Sequence, residues 1–224
     1  MARRRVNTTR ADIVSTAMRL FLEKGYSATS PKAICDILNL STGNLTYYFQ
    51  TKEHLLAVLV EMLCAFQWQC LQNVVDEGNT SVLAVCLELT FMAAMCEEDE
   101  IARDFYKAAY SHPLTLEIIR ENDTRRAKTV FGQYCPGWTD AQYAEAEILV
   151  SGIEYATLMP TALPVTLEER ISGAINSILT TYNVPEPVRR DKIQKVLSLD
   201  YRSIGRQLLE DFKDYARENT KSAE

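Results

Sequence analysis

The sequence predicts an all-α protein, a three-helix N-terminal head with helix-turn-helix geometry followed by a larger helical body. Three observations predict it. Apolar residues recur at i, i+3 and i+4, and no segment alternates with the period of two that a half-buried strand requires. Glycine and proline, at Gly25, Pro31, Gly78, Pro113, Pro136 with Gly137, Pro160 to Pro164, and Pro185 with Pro187, cut the chain into helix-length pieces. Charge also divides the chain: Met1 to His54 carry eight Lys/Arg against four Asp/Glu, whereas the remainder carries 16 against 26. A basic head can neutralise phosphates, and an acidic body limits nonspecific adhesion. The expected division is 1–51 for the head and 52–224 for the body.

In the head, Thr9 with Asp12 forms a capping-box variant, Ile13, Ala17, Leu20 and Phe21 make an apolar stripe, and Gly25 stops the first helix. Ser30 and Pro31 open a second helix, with Ile34, Ile37 and Leu38 facing inward. A break at Asn39 and Leu40 leads to a third helix capped by Ser41, in which Leu45, Tyr48 and Phe49 face the core. Two short helices around so tight a break form a helix-turn-helix.

After Thr51 a long helix runs to about Glu77, with Leu55, Leu59, Met62, Leu63 and Phe66 on one side. Further helices are expected at about 81–96, 100–111, 114–134, 139–159, 167–182 and 186–217, the last broken near Asp200, with a disordered tail from about 217. The segment from Val82 to Cys96 is apolar nearly all round and reads as a central buried helix.

Several functions are excluded or disfavoured. No apolar run approaches the roughly 20 residues that span a bilayer, and the N-terminus lacks a signal-peptide core, so the expected compartment is the cytoplasm and no membrane partner is expected. Six cysteines without a C-x-x-C, and only two histidines, suggest neither a zinc site nor a disulfide framework. They read either as buried thiols or as redox sensors. His54 and His112 have no evident nucleophile or metal partner, and no phosphate loop or hydrolase motif occurs, so neither an enzyme nor a cofactor is expected.

The outward face of the third helix is made of small polar groups and a phenol, which suits hydrogen bonding to base edges and phosphates. Asn44 can offer donor and acceptor to an adenine edge, Thr42 and Thr46 can meet a thymine methyl or a phosphate, and Gly43 permits close backbone approach. Thr29, Ser30 and Lys32 open the second helix, where free N–H groups and a cation favour a phosphate. Arg3, Arg4 and Arg5 either trail along a duplex or form a solvated tail.

Over about residues 7 to 60 the head resembles the TetR/AcrR family of bacterial transcriptional regulators. The stretch that carries the resemblance is TTRADIVSTAMRLFLEKGYSATSPKAICDILNLSTGNLTYYFQTKEHLL. Asn39 stands where the family commonly has Gly, Leu38 where it has a small residue, and Thr46 where many members have a tyrosine that touches a phosphate. Tyr47 or Tyr48 is the alternative source of that contact. The resemblance implies that Thr42, Gly43, Asn44, Thr46, Tyr47 and Tyr48 face double-stranded DNA with Lys52 on a phosphate. It also implies a homodimer, a small-molecule ligand and repression.

For the dimer, Ile148, Gly152 and Ala156 form one line, and Ile171, Ile175, Ile178, Leu179 and Tyr182 another. They either meet a twin as a four-helix bundle, as the resemblance implies, or pack within one subunit. Phe66, Trp68, Phe91, Met92, Met95, Phe105, Tyr106 and Tyr110 either line an adaptable cavity or fill a core. From Glu53 to Ala102 there are nine acids and no Lys or Arg, which points to an apolar, neutral or cationic ligand anchored by Glu88. The competing expectation is a DNA-binding architectural or recruitment factor with no ligand.

Overall fold

The computed structural model describes residues 10–74 and 81–221, with side chains for all of these except 70–74 and 220–221. Among the described residues there are eleven helices and no strand. The head comprises α1 (Arg10–Lys24), α2 (Pro31–Leu38) and α3 (Thr42–Tyr48), and α4 (Lys52–Val74) leads into the body. Thr9, Arg3, Arg4 and Arg5 lie outside the described residues, as does the stretch of the fourth helix expected beyond Val74.

Local chemistry sets the helix ends of the head. The Ser30 hydroxyl accepts from the Ala33 amide at 3.1 Å, with Pro31 in the first turn where its missing N–H costs nothing. Asn39 then takes a left-handed conformation, φ 53°, and closes α2. Asparagine tolerates this region better than most side chains, so it stands in for glycine at the turn. Two residues on, the Ser41 hydroxyl accepts from the Asn44 amide at 3.2 Å and starts α3. Gly25, at φ 95°, ends α1 as expected.

The body follows as α5 (Val82–Glu98), α6 (Glu100–Ser111), α7 (Pro113–Phe131), α8 (Asp140–Leu158), α9 (Leu167–Thr181), α10 (Glu186–Leu197) and α11 (Tyr201–Lys221). Asp99 caps α6, the Thr139–Gln142 and Thr166–Glu169 capping boxes start α8 and α9, and the His112 ring accepts from the Leu114 amide at the start of α7. α7 stops at Phe131 rather than Tyr134 because the Tyr134 and Cys135 amides fold back onto the Phe131 carbonyl. The C-terminal helix continues to Lys221, past the expected onset of disorder at about 217. Arg206 holds Glu98 at 2.7 Å, and Phe66 packs on Phe212 and Tyr215, so α11 is tied to α5 and α4.

α5 is the hub, in contact with α4, α6, α8, α9, α10 and α11. Its residues from Leu89 to Cys96 are all buried, as its uniformly apolar composition requires. Full burial of each large apolar side chain there stabilises by about 1.5–3 kcal/mol. Gly205 of α11 lets that helix approach closely, since a side-chain carbon there would stand 3.3 Å from the Phe91 carbonyl oxygen. The head is seated on this body: α1 packs against α6 and α11 as well as α2 and α4.

Candidate nucleic-acid interface and body cavity

α3 buries Leu45 and, at its C-cap, Phe49, which fixes the helix against the head core. The opposite face carries Thr42, Gly43, Asn44, Thr46 and Tyr47, all exposed, with Tyr47 84% exposed. Tyr48 was expected inward and is instead 41% exposed, its ring edge-on to Tyr47 at 5.2 Å. The pair presents two phenols on one rim of the helix. Thr46 gives its hydroxyl proton to the Thr42 carbonyl at 2.6 Å, which leaves its methyl and oxygen lone pairs for a partner. Ser30 and Lys32 are exposed at the start of α2 beside this face.

Three further expectations for the head are corrected. Thr29 is 2% exposed and donates to the Gly25 carbonyl at 2.8 Å, so its side chain braces the turn after α1 and cannot reach DNA. Lys52 turns inward: its ammonium donates to the Tyr26 carbonyl at 2.8 Å and the Thr29 carbonyl at 3.1 Å, and lies 3.8 Å from the centre of the Tyr26 ring. These contacts hold it in the head scaffold, and burial lowers its pKa. Ile37 was expected inward and is 46% exposed, whereas Ile34, on the face that packs into the head core, is fully buried. No sequence signal separated it from Ile34.

The head is also gripped from the body. The carboxylate of Asp104, on α6, accepts the Ser27 amide at 2.7 Å and the Ser27 hydroxyl. Gly25 lies beside it, where an added side-chain carbon would meet the Asp104 oxygen at 3.0 Å. Within the next two turns the same helix contributes Tyr106, Ala109 and Tyr110 to the wall of a cavity. One rigid element thus touches both the turn before α2 and the interior of the body.

That cavity spans α4 to α9. Its volume, with the open mouth included, is about 670 Å³. Glu88, Met92, Tyr106 and Tyr110 line it as expected. Phe66, Phe91 and Met95 line a second hollow that shares Glu88, Met92 and Tyr106 with the first and is closed by α11. Phe105 lines neither; it is buried behind the wall, facing Leu22 of α1.

Glu88 is not a free anchor. Arg126, reaching in from α7, pairs with it, and the guanidinium also lies 5.4 Å from the centre of the Trp68 ring. Residues 53–102 hold no Lys or Arg, but α7 supplies a cation to the cavity from farther along the chain. The other groups that sequence reasoning missed are Asp123, Glu147 and Glu154, all lining the same space. Burial, with Glu88 adding repulsion, pushes Asp123 up to about 7. Burial and Asp123 push Glu147 up to about 8, and Glu154 is raised well above its ordinary value, again chiefly by burial.

The two lines expected at a dimer face part company. Ile148 and its neighbour Leu149 are more than half exposed, and Gly152 and Ala156 are exposed on the same side of α8. Ile171, Ile175, Ile178, Leu179 and Tyr182 are at most 3% exposed and belong to the core of the subunit itself. Their stripe packs against α5 and α8, so it cannot meet a twin. The outward side of α9 is instead Gly173, Asn176, Ser177 and Thr180. Cys35, Cys64, Cys86, Cys96 and Cys135 are buried, and burial pushes Cys96 up to about 12, which favours the structural reading of these thiols over redox sensing.

Residues 13–59 match the sequence profile of the bacterial regulatory proteins of the tetR family. The similarity to that family is carried by the head. The match covers α1 to α3 and the first turns of α4, which are the elements that expose the α3 face. Among solved structures, the chain is similar to SmeT, the repressor of the Stenotrophomonas maltophilia multidrug efflux pump SmeDEF. The identity is 19%, the TM-score 0.53, and the alignment covers 80% of this chain and 97% of SmeT. TylP, a TetR regulator from Streptomyces fradiae, aligns at 16% identity and a TM-score of 0.49 over 91% of this chain and 96% of TylP. No curated protein sequence matches the chain. The profile match places the likeness to bacterial regulatory proteins in the head, and the likeness to SmeT is one of fold.

Proposed function

We propose that the chain acts as a homodimeric repressor in the cytoplasm, held on a palindromic operator by two TetR-family heads and released when a small ligand enters the body cavity. The observation that carries this reading is the double role of α6, which lines the cavity through Tyr106 and Tyr110 and holds the head through Asp104. A ligand that shifts α6 therefore moves the turn before α2 and changes the separation of the two α3 faces. A difference of about 1–3 kcal/mol between the two states suffices for regulation. We place the boundary between head and body at residues 51 and 52, and the operator contacts at Ser30, Lys32, Thr42, Gly43, Asn44, Thr46, Tyr47 and Tyr48.

Dimerisation is required by specificity. One short helix reads few base pairs, each mismatch costing only about 1–3 kcal/mol, so two heads on half-sites about 34–36 Å apart are needed. The exposed side of α8, with Ile148, Leu149, Gly152 and Ala156, together with the outward side of α9, supplies an apolar face with small residues that suits a twin. The same exposed patch would serve recruitment of another protein if the chain were monomeric. Among the described residues no helix is long and apolar enough to cross a membrane.

The test is selection of genomic fragments by the full-length chain at low ionic strength, with the mass of the complex measured in solution. Enrichment of a palindrome bound by two chains is expected. Recovery of no sequence above background, or of an asymmetric site bound by one chain, refutes the reading.

A further inference from the structure

Four carboxyl groups line one apolar cavity: Glu88 from α5, Asp123 from α7, and Glu147 and Glu154 from α8. Arg126 is the only cation among the lining residues, and its pairing with Glu88 leaves three acids without a counter-ion in the cavity wall. Neutral donors reach each of the three on one side. Asn122 donates to Asp123 at 3.0 Å, Tyr110 donates to Glu154 at 3.0 Å, and the Tyr182 hydroxyl donates to Oε1 of Glu147. The second oxygen of Glu147, in a residue 3% exposed, has no hydrogen-bond partner, and neither do Nε and Nη2 of Arg126. Buried polar atoms in proteins are rarely left so, and each calls for a partner, an ordered water or a ligand.

We propose that this cavity binds an organic cation, an apolar amine whose ammonium donates to Oε2 of Glu147 between Asp123 and Glu154. The proposal rests on the reading of the chain as a ligand-released regulator and gives that ligand its chemical class. Leu63, Met92, Phe131, Val150 and Ile178 supply apolar walls for the rest of the molecule. A neutral acceptor on the same ligand would take the unpartnered N–H groups of Arg126. A bare metal ion does not fit, because the described acids nowhere form a group that could hold one. An anion does not fit either, since the one cation is already neutralised by Glu88 and stands beside Asp123.

Binding should release protons. In the ligand-free protein Asp123 and Glu147, pushed up to about 7 and about 8, are partly protonated at neutral pH. An ammonium favours their ionised forms. The titratable groups that face them are Cys64 from α4, Glu88 from α5, Tyr106 and Tyr110 from α6, Arg126 from α7, Glu154 from α8, itself raised by burial and by both acids, and Tyr182 after α9. Burial raises Cys64 and the three tyrosines, so none of these four gains a charge at neutral pH.

A matched series tests the proposal on the full-length chain by calorimetry: phenylbutylamine, phenylbutanol and phenylbutyrate. The amine is expected to bind at least about tenfold tighter than the alcohol, and about tenfold tighter near pH 8.5 than near pH 6, with proton release detected by changing the buffer. Glu147→Gln should keep alcohol binding and erase the preference for the amine. Equal binding of amine and alcohol, tightest binding of the carboxylate, or binding of none of the three overturns the proposal. Retention of DNA by the same preparation is scored separately. A chain that holds its operator yet prefers the alcohol or the acid sinks the cation site alone, whereas one that binds the amine without ever releasing DNA sinks the regulatory reading alone.

Discussion

Replacing Asp123 by Asn is expected to stabilise the protein at alkaline pH and to leave it nearly unchanged in acid. In the unfolded chain Asp123 releases its proton near the ordinary value of 3.8, while in the folded chain it keeps the proton up to about 7. Between those values the folded state binds more protons than the unfolded state. Stability therefore falls as pH rises through that window, and the loss is complete above it. At about 1.4 kcal/mol for each pKa unit, a rise of roughly three units sets a ceiling of about 4 kcal/mol on that loss. Asn cannot ionise, fills the same volume, and keeps a carbonyl oxygen to accept the bond from Asn122. The attraction that ionised Asp123 exerts on Arg126 returns part of the loss, so a gain of about 2–4 kcal/mol near pH 8.5 is expected. For a chain of this size that corresponds to about 5–15 °C in Tm. Thermal melts of parent and variant, followed by circular dichroism near pH 4.5 and near pH 8.5, measure it. A variant less stable than its parent at both pH values, or a gain no larger near pH 8.5 than near pH 4.5, refutes the reasoning.

Three further outcomes separate the roles assigned above. Lys32→Ala should lower the salt dependence of DNA binding by about one phosphate contact, whereas Lys52→Ala should leave that slope unchanged and cost about 1–3 kcal/mol of stability, read by salt titration and melting. Asp104→Ala should leave folding intact but at least halve the change in DNA affinity that a bound ligand causes, because Ser27 loses its tie to α6. Leu149→Glu should yield monomers in sedimentation and weaken operator binding about a hundredfold or more, since a charge at a residue 59% exposed on the outer side of α8 blocks a twin without disturbing the core.

Much of the fold was legible because the head obeys local rules. Ser30, Asn39 and Ser41 punctuate α2 and α3 by side-chain chemistry that a sequence displays openly. α5 was legible for the opposite reason, since a helix apolar on every side has nowhere to lie but the centre. What misled is what depends on distant partners. Lys52 matches a phosphate-binding position by spacing, yet two carbonyls and a ring from a turn more than twenty residues away capture it. Ile171 and Ile175 carry the same apolar stripe whether a twin or α5 covers them, so periodicity could not choose. Asp123 and Arg126 lie in a run of charged residues that reads as a solvated helix, and only tertiary packing turns that face inward. One signal was present and missed: Glu147, Val150 and Glu154 recur at i, i+3 and i+7, a core-facing spacing.

The α3 face is tested most directly by equilibrium titration of the selected operator and of a scrambled duplex with the parent chain and with Asn44→Ala. Loss of a base-edge contact of about 1–3 kcal/mol per head should weaken operator binding by about tenfold or more and leave the scrambled duplex unaffected. An operator affinity identical to the parent's, or an equal loss on both duplexes, would contradict the assignment of α3 as the element that reads DNA.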